Sequence, residues 1–379
     1  MERGAGIMMN LQVYRNPKTS KDLAEKLIPL LQEKQEQLGR KLRFMEVCGT
    51  HTVAISKSGI RDLLSPYVDL TSGPGCPVCV TDQSDIDQMI GYARNENVII
   101  TTFGDMMKVP GSSSTLYEQR ALGADVRVVY SPSESIEIAK ENPDKMVVFL
   151  GVGFETTTPS IAMSMQRAKA EGVKNFAVYS AHKITTVAVE ALMGDDTVNL
   201  DGFLLPGNVS VIIGRQGWSF LENYNFPSVI GGFEPLDLLS SIYQLTLEMD
   251  KEKKSVINNY TRVVKEEGNL KAQQLVSEVF TPASMKWRGL GEIVESGLEV
   301  SSLYEMYNAK KRVSQVEPVV TREIKGCQCG EILKGKRIPF ECKLFARACT
   351  PERPVGPCMV SSEGSCSIYY QYERGKIQI

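Results

Sequence analysis

Histidine is scarce in this sequence of 379 residues, which contains only His51 and His182. The C-terminal region has none, so a mixed Cys/His zinc site is excluded there. The chain also lacks an excess of charge of one sign, because it contains 43 Lys and Arg residues and 45 Asp and Glu residues. This balance argues against a nucleic-acid-binding protein, which usually shows a basic excess.

Long apolar runs are missing as well. The best one, Met146–Phe154, falls far short of the ~20 residues that a membrane helix needs. Residues Met1–Met9 lack the apolar stretch and cleavage site of a secretory signal. We therefore expect a cytoplasmic protein that binds neither nucleic acid nor membranes.

Strand-like and helix-like patterns alternate along the chain and predict an α/β fold with parallel sheets. Leucines at helical spacing predict a helix over residues 19–39, capped by Thr19 or Ser20 and kinked or broken at Pro29. Further helices are expected at 236–249, 251–267 and 270–279. The predicted strands are residues 42–47, 97–103, 126–130, 145–150, 175–179, 202–205 and 228–230.

A second series of alternating strands and helices begins after about residue 130. This predicts two similar α/β domains flanking a cleft. We expect an N-terminal helical segment at 1–40, α/β domains at 41–130 and 131–235, and a helical, cysteine-rich domain at 236–379. Ligands bind at the carboxyl ends of strands in such sheets. Because the polar motifs follow predicted strands, the site is expected in the cleft between the two α/β domains.

The segment Cys48-Gly-Thr-His-Thr52 places a thiol and an imidazole on one strand-to-helix turn. His51 and the helix N-terminus would both lower the pKa of the thiol, which predicts a partly exposed thiolate suited to nucleophilic chemistry or a soft metal. The alternative is a buried structural cysteine beside a helix-capping threonine. This segment alone leaves both interpretations open.

Cys76 and Cys79 form a Cys-x-x-Cys within a Gly/Pro-rich turn. Such a pair can cycle between dithiol and disulfide. Half of a zinc site and a rigid turn with inert thiols are the alternatives. Redox chemistry is favoured, because the chain has no second Cys-x-x-Cys to complete a zinc site.

Two further turns carry polar residues. Gly151–Pro159 resembles an anion-binding turn, but it lacks the third glycine of a dinucleotide fingerprint and the lysine of a P-loop. Glu155, Thr156 and Thr157 are therefore either ligand-binding or capping and packing groups. Asp105 follows another predicted strand and is a candidate helix cap.

Six of the nine cysteines lie between Cys327 and Cys366. Four of them follow a Cys-x14-Cys-x6-Cys-x16-Cys spacing, formed by Cys327, Cys342, Cys349 and Cys366. Zinc ribbons usually bring their ligands in tight pairs, so this scattered spacing favours an iron–sulfur cluster over zinc. The spacing does not assign roles to Cys329 and Cys358.

Taken together, these motifs resemble the hydrogenase maturation factor HypD family. The resemblance covers residues 19–372, and its motifs occur in family order. They are Glu46–Thr52, Gly73–Cys79, Phe103–Gly111, Gly151–Thr157 and the cysteine spacing of the tail. The family fold is likewise two similar α/β domains with a cluster-bearing domain.

The resemblance implies a scaffold that assembles the Fe(CN)2(CO) fragment of [NiFe]-hydrogenase. Its implied partners are a HypC-type small chaperone, HypE as cyanide donor with HypF upstream, and indirectly the hydrogenase large-subunit precursor. Cys48 becomes the ligand of the transient iron fragment, His51 its tuning residue, and Cys76 and Cys79 the redox pair. The implied [4Fe–4S] ligands are Cys327, Cys342, Cys349 and Cys366. Residues predicted to line the iron fragment's site are Thr50, Asp105, Glu155, Thr156 and Thr157.

Two other functions remain open. A freestanding cluster-dependent thiol–disulfide oxidoreductase would use Cys76 and Cys79, but it would not need a third isolated thiol such as Cys48. A zinc-stabilised nucleotide-binding protein would instead use the turn at 151–158. Visible absorbance would distinguish this last possibility, because an iron–sulfur protein is brown and a zinc protein is colourless.

Overall fold

The computed structural model describes residues 11–195, 197–314, 320–322 and 324–376. Residues 1–10 of the predicted N-terminal segment and residues 377–379 of the predicted C-terminal domain lie outside the described residues. The strands are β1 (Leu42–Glu46), β2 (Val68–Ser72), β3 (Val98–Thr102), β4 (Val126–Val128), β5 (Met146–Gly151), β6 (Phe176–Ser180), β7 (Gly202–Pro206), β8 (Ser228–Gly231), β9 (Val256–Asn258), β10 (Phe280–Trp287) and β11 (Gly291–Val300).

Helices connect most of these strands. The α-helices are α1 (Pro17–Leu38), α2 (Gly49–Lys57), α3 (Ile60–Leu64), α4 (Pro77–Val80), α5 (Gln83–Ala93), α6 (Leu116–Ala121), α7 (Pro132–Glu141), α8 (Thr158–Ala170), α9 (Thr185–Met193), α10 (Gly207–Ile213), α11 (Pro235–Glu248), α12 (Leu270–Val279), α13 (Ala309–Arg312), α14 (Cys329–Leu333) and α15 (Ser365–Tyr372). Short 3₁₀ helices are Leu11–Arg15, Gly104–Lys108, Gln216–Glu222, Ser302–Tyr307, Pro339–Glu341, Pro357–Met359 and Arg374–Lys376.

Two parallel sheets organise the described residues. One has five strands in the order β2-β1-β7-β8-β9, and the other has four in the order β4-β3-β5-β6. Every residue of β3, β6 and β7 is buried, as expected for parallel strands covered by helices on both faces. The predicted α/β class with parallel sheets is confirmed.

The sheets divide the strands differently from a boundary at residue 130. β3 and β4 pair with β5 and β6, whereas β7, β8 and β9 return to the sheet of β1 and β2. The second α/β unit is thus inserted into the first. Chain order did not reveal this, because a strand–helix repeat has the same pattern whichever sheet its strand joins.

Local differences from the predictions have local causes. The predicted helix at 251–267 is wrong: the segment contains β9, which pairs with β8, and the Asn258 amide donates to the carbonyl of Val264 at 2.9 Å. α1 begins earlier than expected because the Asn16 side chain caps it, accepting from two backbone N–H groups. The helix also continues through Pro29.

The antiparallel hairpin β10–β11 was not expected from the sequence. Phe280, Met285 and Trp287 are buried at irregular spacing along β10, while most of the residues between them are exposed. Outside its own pairing, the hairpin forms bridges from Trp287 to Thr81 and from Gly297 to Lys183. It therefore links the cysteine-bearing turn after β2 to the second α/β unit.

The cysteine-rich tail packs on the first sheet's unit. α15 lies against α2, and the Arg61 guanidinium lies between the carboxylates of Glu46 at 2.7 Å and Glu373 at 3.6 Å. The same guanidinium lies 5.1 Å from the centre of the Tyr369 ring. Across the residues that the structure describes, no helix is both long and apolar enough to cross a membrane.

Candidate functional site

The carboxyl ends of strands from both sheets meet at one cleft of about 210 Å³. The cleft lies where the strand-end motifs led us to expect a site, and that it binds a ligand stays a prediction. Residues from after β1, β2, β5, β6 and β7 line it together with one tail residue. The lining residues are Val47, Cys48, Gly75, Pro77, Phe154, Thr156, Thr157, Thr185, Pro206, Asn208, Val209 and Glu363.

Cys48 occupies the N-cap position of α2, directly after β1. Its side chain is 5% exposed, and its Sγ lies 3.7 Å from Oδ1 of Asn208. Gly49, the next residue, has no room for a side chain, because an added Cβ would lie 2.4 Å from the carbonyl oxygen of Glu363. The thiol is therefore enclosed between the end of β1, α10 and the tail.

This enclosure corrects the expectation of a partly exposed, low-pKa thiol. Burial raises the pKa of Cys48 to about 11, and the negative charge of Glu363 adds to the effect. Hydrogen bonds from the Thr50 side chain and from the backbone N–H groups of Thr50 and His51 lower the pKa of Cys48. Their effect is smaller than that of burial and the Glu363 charge. Desolvation outweighs the helix N-terminus here, so the free thiol is protonated at neutral pH.

Glu363 is a site residue that the sequence did not indicate. It comes from the tail, 313 positions from Thr50, whose hydroxyl donates to its carboxylate. Burial raises the pKa of Glu363, and the charge of Asp105 contributes. Its only sequence signal is its position three residues before Cys366, which does not reveal that the tail reaches Cys48. Asn208 was also missed, although it follows a predicted strand.

The side chain of His51 contacts the turn after β8 and does not tune Cys48 as expected. Its Nε2 lies 3.2 and 3.1 Å from the carbonyl oxygens of Gly231 and Gly232, and its ring packs on Phe233. Burial lowers the pKa of His51 to about 4, so the ring is neutral and donates from Nε2. Only its backbone N–H affects the pKa of Cys48. The imidazole ties α2 to the turn after β8.

Cys76 and Cys79 are joined by a disulfide at the start of α4. The turn before them packs tightly on the segment between β1 and α2 that carries Cys48: an added Cβ on Gly75 would lie 1.5 Å from the carbonyl oxygen of Val47. In addition, the Gly49 N–H donates to the Gly75 carbonyl at 3.2 Å. The structure thus brings the disulfide turn and the isolated thiol to one site.

The remaining predicted residues lie around the cleft with different contacts. Thr156 and Thr157 line it directly. The Glu155 carboxylate accepts from the Thr185 backbone N–H at 2.8 Å and from its hydroxyl at 2.7 Å, which holds the start of α9. Asp105 accepts from the Ser361 hydroxyl at 3.3 Å, beside the tail segment of Glu363.

The tail thiols gather around a second, much smaller void of about 10 Å³. Its lining includes Cys327, Cys329, Cys342, Cys349 and Cys366. The sulfurs of Cys327 and Cys329 are 3.2 Å apart. Cys358 is completely buried in the same apolar core as these cysteines.

The donor set of this void fits an iron–sulfur cluster. Clusters are held by cysteine thiolates, and the four predicted ligands all line the one void. No group of three or more His, Cys, Asp or Glu side chains within the described part of the chain is arranged to hold a single metal ion. Cluster binding therefore stays a prediction.

The disulfide and the tail thiols are neighbours. α4, which carries Cys79, packs against the 3₁₀ turn Pro357–Met359, which carries Cys358. Both groups of cysteines belong to one continuous apolar core. Electron exchange between two such sites requires this kind of proximity.

Fold and site together define a cysteine-based α/β protein, in which a buried thiol lies in a cleft beside a disulfide and a thiol-rich tail. The HypD family model, described as "Hydrogenase formation hypA family", matches residues 22–373. The chain belongs to the HypD family of hydrogenase maturation factors.

Its relatives match over almost their whole length. The chain is 40% identical to hydrogenase maturation factor HypD of Rhodobacter capsulatus over 364 residues, which cover 95% of this chain and 97% of the relative. It is 41% identical to HypD of Escherichia coli K12 over 363 residues, with the same two shares. A putative hydrogenase expression/formation protein of Methanocaldococcus jannaschii is 40% identical over 353 residues, covering 93% of this chain and 98% of that protein. The resemblance stated from the motifs is confirmed.

Proposed function

We propose that this protein is the cytoplasmic scaffold on which the Fe(CN)2(CO) fragment of [NiFe]-hydrogenase is assembled. The observation that carries the proposal is the cleft, which combines Cys48, the turn of Cys76 and Cys79, and hydrogen-bonding side chains from both sheets. Its volume of about 210 Å³ is below the ~300–1,000 Å³ of typical ligand pockets, which suits a small cargo.

Cys48 binds the iron of the cargo through its sulfur in this proposal. A thiol must lose its proton to become a metal ligand, and coordination itself drives that loss. Glu363 is the buried carboxylate beside Cys48, and its own pKa is raised, so it is suited to accept this proton. Thr156, Thr157 and Asn208 supply polar groups for the cyanide ligands. A HypC-type partner contributes the second thiolate from the open side of the cleft.

Cyanide release requires two electrons. A thiocyanate carried on HypE, with HypF upstream, reacts with the reduced Cys76–Cys79 pair, so that the sulfur–carbon bond breaks and a sulfur–sulfur bond forms. The carrier becomes a thiol, the pair becomes the disulfide, and the two thiol protons leave with the carrier and with cyanide. The finished fragment then passes to the hydrogenase large-subunit precursor.

The disulfide must afterwards be reduced by an electron donor from outside the chain. A [4Fe–4S] cluster bound by Cys327, Cys342, Cys349 and Cys366 would deliver electrons one at a time beside the pair. The donor set of the tail void and its contact with α4 support this assignment.

The test is an infrared spectrum of the protein copurified anaerobically with its HypC-type partner. Cyanide and CO stretching bands are expected for the unchanged protein and for Val209→Ala, a truncation in the same cleft. Cys48→Ala should lose the bands. It should keep its melting temperature and the visible absorbance of the cluster that we propose at the tail cysteines. Retained bands in Cys48→Ala would refute the iron-ligand assignment and favour the simpler thiol–disulfide oxidoreductase.

A further inference from the structure

An exposed loop with positive charge covers part of the tail thiol void. This basic loop, residues 343–355, follows Cys342 and contains Cys349, and both cysteines line the void. Three exposed cations lie on the loop: Lys343, Arg347 and Arg353. None of them forms an ion pair with another residue that the structure describes. The single carboxylate of the loop is that of Glu352, so its net charge is positive.

Hydrogen bonds fold the basic loop around Cys349. The Ala346 N–H donates to the Cys349 carbonyl at 3.1 Å, and the Val355 N–H lies 3.3 Å from the Cys349 sulfur. Thr350 and Arg353 exchange two backbone hydrogen bonds of 3.2 and 3.1 Å. The exposed cations are therefore held close to this cysteine.

A second cysteine-bearing segment adds positive charge beside the loop. Lys325 is exposed and lies two residues before Cys327. A Cβ added to Gly326 would lie 3.6 Å from Cδ1 of Leu344, which belongs to the basic loop. Lys325 thus extends the positively charged surface towards another cysteine of the void.

Two further exposed cations lie near the other end of the loop. The pKa of Glu352 is lowered mainly by its hydrogen bond with Thr350, and the charges of Arg374 and Lys108 contribute. Both cations are exposed. Positive charge therefore surrounds the one carboxylate of the loop.

We propose that the basic loop is the docking surface of an acidic protein that carries single electrons to the tail site. The inference rests on the proposed function, which requires an electron donor from outside the chain. Each encounter oxidises the carrier by one electron and reduces the tail site by one. Two encounters supply the electrons for one disulfide, and solvent supplies the two protons. The proposed function names neither this class of donor nor the surface that receives it.

Position and charge both favour such a partner. Cys342 and Cys349 are 8% and 7% exposed, and the exposed Lys343 and Ala348 are their immediate neighbours. A protein seated on the loop therefore comes close to the void without entering it. On another side of the void, Cys358 is completely buried, and its 3₁₀ turn packs on α4. The basic loop is thus the part of this site that a partner can reach.

The positive charge is local, because the whole chain has a formal net charge of −2. Complementary charge accelerates the encounter of two proteins and orients it. Nucleic acids and anionic membranes would meet the same cations, but they do not donate electrons. The need for electrons at this site therefore favours an acidic electron carrier.

The experiment measures binding of the full chain to a purified, acidic plant-type ferredoxin under anaerobic conditions. Association rates are recorded by biolayer interferometry for the metal-free chain and for the chain loaded with iron and sulfide. The salt concentration is raised from ~0.01 to ~0.15 M, which shortens the Debye length from ~30 to ~8 Å. A second readout is the rate at which the loaded chain reoxidises reduced ferredoxin.

One variant reverses the loop charges with three substitutions: Lys343→Glu, Arg347→Glu and Arg353→Glu. Its association should be slower by about tenfold or more at low salt, within the ~10–1,000-fold range of electrostatic steering. The difference should shrink as salt is added, because salt screens exposed charges. The matched control reverses three exposed lysines outside the tail: Lys174→Glu, Lys253→Glu and Lys271→Glu. It carries the same change in net charge and should stay within about twofold of the unchanged protein.

A neutral variant keeps the test valid if charge reversal prevents folding or loading. Its substitutions are Lys343→Gln, Arg347→Gln and Arg353→Gln. It adds no negative charge beside the thiols and should also slow association. Visible absorbance and melting temperature check that each variant loads and folds.

Equal losses in the loop variant and its control would overturn the proposal, as would association that is independent of salt. Tighter binding of a short DNA duplex, lost in the same loop variant, would overturn it and assign the surface to nucleic acid. A chain that acquires no visible absorbance would contradict the cluster assignment in the proposed function. Binding by the metal-free chain would still decide the docking surface independently.

Discussion

Replacing Glu363 by Gln should make the Cys48 thiol more acidic. Glutamine keeps nearly the same shape and can still accept a hydrogen bond from Thr50, so the substitution removes mainly the negative charge. That charge is the second cause of the raised pKa of Cys48, after burial. The pKa should therefore fall but stay above the ordinary value, because the thiol remains buried.

The magnitude follows from the pKa of Cys48, which is about 11 compared with 9.0 for an ordinary thiol. Charging the buried thiol thus costs about 3 kcal/mol more than charging an exposed one, at about 1.36 kcal/mol per pH unit. The thiolate fraction at pH 8 is roughly 100-fold lower for the same reason. Removal of the Glu363 charge should raise the thiolate fraction at pH 8, but by less than 100-fold, because burial causes the larger part of the pKa shift.

The assay is the rate of Cys48 alkylation by iodoacetamide between pH 7 and 11, followed by mass spectrometry on iron-free protein. Glu363→Gln should react faster at pH 8 and reach half of its maximal rate at a lower pH. Glu352→Gln, an exposed carboxylate in the same tail, should match the unchanged protein. An unaltered pH profile in Glu363→Gln would mean that its charge does not act on Cys48, and the proton-acceptor role would fail.

Three further predictions concern the tail, a buried ion pair and acid stability. Cys342→Ala should abolish the visible absorbance of anaerobically prepared protein, whereas Cys358→Ala should retain it; the reverse result would contradict the ligand set. Arg61→Ala should lower the free energy of unfolding in urea by about 3–5 kcal/mol, because it removes the ion-pair partner of the buried Glu46 carboxylate and one contact of Glu373. Arg15→Ala breaks an ion pair in which the arginine is exposed and should cost far less than Arg61→Ala, so equal losses would refute this reasoning. Because burial holds the pKa of His51 near 4, well below 6.5, its contribution to stability should be complete above pH 6.5 and decrease as the pH falls to 4. His51→Gln should weaken this dependence in urea titrations, and an unchanged dependence would show that the imidazole is not responsible.

The strands and their terminal motifs could be predicted from the sequence because they depend on local patterns. The apolar runs at β3, β5 and β6 are continuous, as buried parallel strands require, and each ends in a polar or glycine-rich turn. The rule that ligands bind at the carboxyl ends of strands then located the cleft. The helix predicted at 251–267 failed because β9 forms only through pairing with β8, which no local pattern encodes.

The sequence by itself determined the chemical inventory: an isolated thiol at a strand end, a Cys-x-x-Cys turn, a cysteine-rich tail and the family to which they belong. The tertiary structure decided which of these groups meet and how they behave. Glu363 reaches Cys48 from the far end of the chain, and the surrounding burial raises the pKa that local sequence predicted to be low. A pKa depends on solvation and on charges brought together by folding, and neither is a property of sequence neighbours.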